Sequence, residues 1–285
     1  MSGPGHSPRL APDQWQARRA DPRTTDVQGV TDLLAAAASE GVARLPMVSA
    51  AELYALCGTR QVLTEEDEQR RWAGMAETAR AQLAAAATGF LLDRALLRHP
   101  EPGAGATAGA AGGPAATRGT ETTDLPMAPP LALIIAARQY PAVVAAGTRP
   151  DGSTTGAPRM YGLGEDGRPL RAVVVEMVTG RAHKKFGPLH EFVLMSPAAA
   201  GKALAAWAAT PLRTGLRRQP QGRTVSIYRN QPGRGLTCDP VTVTATGPGS
   251  VTAARGPAGS ATPPVPCGQA ELAALLTGML TGEQP

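Results

Sequence analysis

The chain has 285 residues, a formal net charge of +5, 42% hydrophobic residues and only ten aromatic side chains of the Phe, Trp and Tyr type. That length suits one large domain or two small ones. Its three cysteines, Cys57, Cys238 and Cys267, lie far apart and form no CxxC pair, which argues against a disulfide scaffold and a structural zinc site and for a reducing cytoplasm.

No apolar run is long enough to span a bilayer, and the first residues lack the apolar core of a signal peptide, so we expect a cytoplasmic protein without membrane insertion. Charge is uneven: 12 basic against 15 acidic residues up to position 130, and 16 against 8 beyond it. A basic half can face nucleic acid or an acidic protein. Apart from Lys184-Lys185 and Arg217-Arg218 the positives are scattered, without a nucleic-acid motif around them, and read as solvated surface.

In chain order, residues 1–25 are polar, rich in Pro and Arg, and read as a disordered tail. Val27 to Glu40 predicts a helix ending near Gly41. Ser49 to Cys57 predicts another, with Ser49 as cap and Glu52 at capping-box spacing. Thr64 to about His99 reads as one long helix, capped by Thr64, with acidic residues in its first turn and a stripe of Trp72, Met75, Ala79, Leu83, Ala86 and Phe90. Residues 100–130 are low-complexity and read as a flexible insertion. The remainder, 26–285, is expected to form a single domain.

Leu131 to Ala137 and Ala142 to Ala146 are short apolar runs and predict buried strands. Arg149 to Pro158 reads as a loop. Met160 to Val178 predicts a hairpin turning at Glu165-Asp166-Gly167. Leu189 to Met195 is a further strand, and Ser196-Pro197 opens a helix to Thr210. Arg223 to Arg229 and Val241 to Thr246 alternate apolar and polar, so each predicts a strand with one wet face. Gly247 to Pro266 reads as loop, and Gln269 to Leu280 as a closing amphipathic helix. The expected fold is α+β, with a central, mainly antiparallel sheet flanked by helices. Strands followed by an Ala/Leu-rich helix occur twice, which suits a pseudo-duplicated fold.

The second arm of the predicted hairpin is apolar on both faces: Leu170, Ala172, Val174 and Val178 on one, Val173, Val175 and Met177 on the other. Such an arm is either covered on both sides or presents one face to a partner. Val173, Val175 and Met177, with Phe192 and Tyr161, are the candidate partner-binding residues; the alternative is that all five are core.

Little points to catalysis. Gly162 to Gly167 matches GxGxxG, but a β-rich run follows where a helix should, and the loop carries two acids. His183 and His190 fit no standard metal-ligand spacing, and no GxSxG is present. We therefore expect no enzyme, no metal and no cofactor. Clustering of Arg159, His183, His190 and Glu191 in one cleft would favour a small-molecule site or a spatially assembled enzyme instead, and a nucleic-acid role for the basic half is a third alternative.

Several segments resemble the EspG family, the cytosolic chaperones associated with ESX (type VII) secretion in actinobacteria. They are AELYAL, AQLAAAATGFLLDRALL, LALIIAARQYPAVVAAG, RAVVVEMV with HEFVLMSPAAAGKALAAW, RTVSIYRNQPG and AELAALLTGML. The resemblance covers about 50–283 without the insertion. It implies an α+β fold with a central antiparallel sheet, helical bundles and internal pseudo-two-fold symmetry. It also implies a non-enzymatic function, binding export substrates such as PE-PPE heterodimers, with no catalytic residues. The N-terminal extension and the insertion depart from the family pattern.

Overall fold

The computed structural model describes residues 26–57, 66–98, 126–154, 156–164, 168–183, 186–210, 222–231, 235–247, 250–257 and 261–283. The expected tail, the Thr64 cap, the hairpin turn at 165–167 and both basic pairs lie outside them. The elements are α1 (Val27–Glu40), β1 (Val42–Arg44), β2 (Val48–Ser49), α2 (Ala50–Cys57), α3 (Glu66–Ala73), α4 (Glu77–Asp93), α5 (Pro129–Gln139), β3 (Val143–Thr148), β4 (Arg159–Leu163), β5 (Ala172–His183), β6 (Gly187–Met195), α6 (Pro197–Ala209), β7 (Gly222–Gln231), β8 (Gly235–Gly247), β9 (Ser250–Arg255), β10 (Val265–Gly268) and α7 (Gln269–Thr281).

The described strands form one ten-stranded sheet in the order β1-β6-β5-β4-β3-β7-β8-β9-β10, with β2 also paired to β6. Every described pairing is antiparallel. The chain meanders outwards from β3 to β6, crosses back through α6 to β7 beside β3, and meanders the other way to β10. This is the α+β architecture expected from the sequence.

Helices lie on both faces, which explains the two-faced arm. Ala172 and Val174 of β5 point into a core shared with α1, α2 and α5, through Ala37, Leu53 and Ile134, and with Phe192 of β6. Val173 and Val175 point into a second core against α6 and α7, through Leu204, Ala205, Leu272 and Leu276. A strand buried on both sides has no wet face to mark in sequence, so it is apolar throughout. Central β3 is likewise buried at every residue.

Several local signals act as expected. The Ser49 backbone N–H donates to Glu52 Oε2 at 2.6 Å, and the Glu52 N–H donates to Ser49 Oγ at 3.3 Å, completing the capping box of α2. Ser196 Oγ accepts from the Ala199 N–H at 3.3 Å, with Pro197 opening α6. Gly41 closes α1 in the left-handed region at φ 77°.

Four expectations are corrected. Leu131–Ala137 belongs to helix α5, not to a strand: Pro129-Pro130 starts it, and it is buried on nearly every side, so it carries no helical periodicity. The single long helix is two, α3 and α4, interrupted around Gly74, and the buried positions of α4 are Ala87 and Leu91 instead of Ala86 and Phe90. The expected loop 247–266 contains β9 and β10. The end of the expected insertion is ordered, since Met127 bridges Leu97 and Pro129 opens α5.

Outer strand β10 is mostly exposed and follows Pro263-Pro264, with Pro266 inside it. Proline has no N–H to offer a further strand, so this edge is blunted. At the other end β1 is three residues long.

Where α6 crosses α7, a Cβ at Gly201 would meet Thr277 Oγ1 at 1.9 Å, whereas one at Gly89 in α4 would meet nothing within 4 Å. Gly201→Val is expected to cost about 1–3 kcal/mol through overpacking. Gly89→Ala is expected to add roughly 0.5–1 kcal/mol through helix propensity. Urea denaturation of both variants checks the pair.

Candidate functional site

Two groupings of side chains stand out. The first is ionic. Glu176 on β5 is completely buried, and its Oε1 accepts from Arg138 of α5 and from His190 Nδ1 of β6 at 2.5 Å. Arg159 Nη1 of β4 lies 3.6 Å from the same oxygen, and the Tyr161 hydroxyl donates to Oε2 at 2.7 Å. Burial alone would raise the Glu176 carboxyl. Arg138, the His190 bond and Arg159 outweigh burial and hold the group well below the usual carboxylate range. Burial first, then the neighbouring carboxylate, push the Tyr161 hydroxyl above the usual tyrosine range. Cys57 lies close enough to sense the cluster, and burial pushes its thiol up to about 12.

The charges of this cluster are held by one another. Arg138, Arg159, Tyr161 and His190 are each at most 4% exposed, so the cluster is buried away from bulk solvent. The arrangement fixes α5 on β4, β5 and β6. Of the quartet Arg159, His183, His190 and Glu191, it joins only Arg159 and His190. Glu191 is exposed, and His183 stacks on Phe186 near the turn of the β5–β6 hairpin. The clustering that would have favoured a small-molecule site is therefore not formed. Among the described residues no group of three or more potential ligands could hold a metal ion.

The five candidate partner-binding residues do not form one surface. Tyr161 and Phe192 lie in the first core, Val173 and Val175 in the second, and all four are buried. Met177, half-buried, lies opposite Glu191. The double-sided helical cover turns Tyr161, Val173, Val175 and Phe192 into core, while Met177 belongs to neither core. GxGxxG also has a packing explanation at its first glycine: a Cβ at Gly162 would strike Val143 Cγ1 at 2.4 Å, and strand β5 follows the motif.

The second grouping is apolar and open. A shallow, half-open cleft with about 30 Å³ of accessible volume lies between α2, α3, α4 and the start of β6. Tyr54 of α2 stacks on Trp72 of α3, with ring centroids 4.8 Å apart. Met75, Leu83 and Phe186 complete the apolar wall, and Arg71 stands at its margin. Among the described residues no carboxylate, imidazole or thiol lines it. Its floor is fixed through α2: the Ala51 N–H donates to the Phe186 carbonyl at 3.1 Å, and Arg94 donates to Glu52 Oε1 at 3.0 Å and to the Met47 carbonyl at 2.6 Å.

Sequence reasoning found Trp72, Met75 and Leu83 as one buried stripe. The break at Gly74 puts Trp72 on α3, Met75 in the turn between the helices and Leu83 on α4, and leaves all three half-exposed. Tyr54 and Phe186 carried no signal, because their neighbourhood depends on long-range packing.

The chain matches no protein-family model, no curated protein and no solved structure.

Replacing Glu176 with Gln leaves two buried guanidiniums without their carboxylate and is expected to cost about 3–5 kcal/mol. Because the folded carboxyl is held below its ordinary value of 4.5, its contribution is fully present above that pH and is lost as pH falls towards the folded value. The stability difference between wild type and Glu176→Gln, measured by denaturant titration, should therefore shrink progressively below about pH 4.5. Native-state alkylation with mass-spectrometric readout should label exposed Cys238 and leave buried Cys57 unmodified until denaturant is added.

Proposed function

We propose that this chain is a non-enzymatic, cytoplasmic binding chaperone or adaptor of the EspG kind, which holds PE-PPE-like helical substrates of type VII secretion. Two grounds support the reading. The sequence resemblance is accompanied by a single antiparallel sheet with helices on both faces. The observation that carries it is the contrast between the two side-chain groupings. The titratable cluster around Glu176 is sealed inside the sheet and holds the fold, while the open cleft offers Trp72, Met75 and Leu83 over buried Phe186, with no carboxylate, imidazole or thiol among its described lining residues. A concave surface of aromatic and methionine side chains suits anchoring of an apolar side chain from another protein. Methionine adapts to differing shapes, as a chaperone with several clients requires.

Among the described residues no helix is long and apolar enough to cross a membrane. That accords with capture of a client in solution and handover at a membrane machine.

The test is affinity purification of the tagged, full-length chain from its own host, followed by mass spectrometry. Stoichiometric recovery of a PE-PPE-like helical pair is the expected result. Recovery of no such protein by a folded, soluble chain overturns the reading. With the client in hand, Trp72→Ala is expected to weaken binding by about 2 kcal/mol, roughly thirtyfold in Kd, by calorimetry. Met75→Asp should weaken it comparably by placing a charge on the apolar wall.

A further inference from the structure

The two halves of the sheet meet where β3 runs beside β7, and that junction ends on two arginines. The β3–β7 ladder closes at Thr148 opposite Thr224, so the next residues along the two chains, Arg149 and Arg223, come opposite each other. Like charges placed opposite across strands are destabilising. Among the described residues neither guanidinium makes an ion pair, and the Nε of each is buried and donates to no acceptor. Asp151, the nearest acid in sequence to Arg149, accepts from the Ser153 N–H at 2.9 Å instead. Residues 211–221, which join α6 to β7, contain no Asp or Glu.

Both side chains are held in place. Arg223 is 6% exposed. Its Nη1 donates to the Trp207 carbonyl in the last turn of α6, and its Cζ lies 4.8 Å from the centre of the Trp207 ring. Burial, and then Arg149 beside it, lower the Arg223 guanidinium below its ordinary value. Half-buried Arg149 folds back over its own loop: Nη2 lies 3.2 Å from where a Cβ would stand at Gly156, whose φ of +64° favours glycine. The end of α6 offers Arg223 roughly half a negative charge. No described carboxylate offers one to Arg149.

Two guanidinium forks held side by side, one of them almost fully buried and neither neutralised, form the donor set of an oxyanion site. We propose that Arg149 and Arg223 bind a phosphate dianion, as inorganic phosphate or as a phosphate monoester. The dianion matches the two positive charges, and its several oxygens reach both forks. A carboxylate carries one charge and two oxygens, which a single fork uses up. The ligand sits on the solvent side of Arg149 against the exposed edge of Arg223, and ties the loop after β3 to the start of β7. The site is separate from the cleft and does not rest on the client-binding reading.

The experiment follows thermal unfolding of the full chain at about pH 8, where phosphate is mainly dianionic, in inorganic phosphate and in sodium chloride of equal ionic strength. Phosphate is expected to raise Tm by about 2–4 °C over chloride. Arg149→Gln removes the like-charge contact, so its Tm without phosphate should be unchanged or higher, and the phosphate increment should vanish. Arg223→Lys keeps the charge and loses the fork, and should weaken phosphate binding roughly tenfold by calorimetry. If Arg223→Lys does not fold, half-buried Arg149 carries the test alone. A Tm in phosphate no higher than in chloride overturns the proposal. So does equal stabilisation of wild type and Arg149→Gln, which is a bulk salt effect. A loss of stability in phosphate-free Arg149→Gln also overturns it, because Arg149 is then a structural group. Flotation with phosphatidic-acid vesicles separates the sources of the ligand. Capture that inorganic phosphate competes away and Arg149→Gln abolishes supports the site with a lipid headgroup as its phosphate. A phosphate-dependent Tm without capture supports it with a soluble one.

Discussion

The sheet is organised around one buried carboxylate. Glu176 gathers a helix and three strands at a single side chain: Arg138 from α5, Arg159 and Tyr161 from β4, His190 from β6, and its own β5. Such a cluster is a poor source of net stability, because desolvating several charges costs about as much as their attraction returns. Its contribution is directional. A slip of one residue in β5 would turn Glu176 into the opposite, purely apolar core and leave the arginines stranded. The cluster therefore sets register in a strand whose two faces are otherwise equally apolar and could not set it themselves. It also explains why α5, nearly all apolar, ends in a buried Arg138.

The cleft depends on this frame at one remove. Helix α2 follows immediately on β2, which pairs with β6 through Val48 and His190. The capping box at Ser49 and Glu52 fixes where α2 begins, and Arg94 uses the other oxygen of Glu52 to draw α4 against it. Glu52 thus serves both as a cap and as a brace between helices. A cleft built from three helices and a strand start is braced by fixed elements, and rigidity of this sort lowers the ordering cost of any binding there.

Legibility from sequence followed the range of the determining interaction. The capped helices α1, α2 and α6 were readable because Ser49, Glu52, Ser196 and Pro197 act within one turn. The β4–β5 pairing was readable from patterning on either side of a turn. Helix α5 was not, since burial on nearly all sides erases the periodicity that separates helix from strand, and only Pro129-Pro130 hinted at the truth. Strands β9 and β10 were hidden by the prolines and glycines that suit an outer strand. The ionic cluster is half legible: Arg159 and His190 stand out as polar residues in apolar surroundings, whereas Glu176 lies inside a valine run and Arg138 near the end of a segment whose apolar pattern suits strand and helix alike. The cleft was invisible as a site, because it forms only when α3 and α4 separate at Gly74 and the β5–β6 hairpin delivers Phe186 to α2.

The blunted edge at β10 has a further meaning for recognition. Many proteins that capture extended or unfolded clients do so by lending a strand edge, a mode that reads main chain and is nearly blind to sequence. Here Pro263, Pro264 and Pro266 deny one end of the sheet that role, and β1 offers only three residues at the other. With so little main chain on offer at either described edge, any partner of this molecule would be met through side chains rather than by strand addition. The same closure protects so wide a sheet from stacking edge to edge with its own copies.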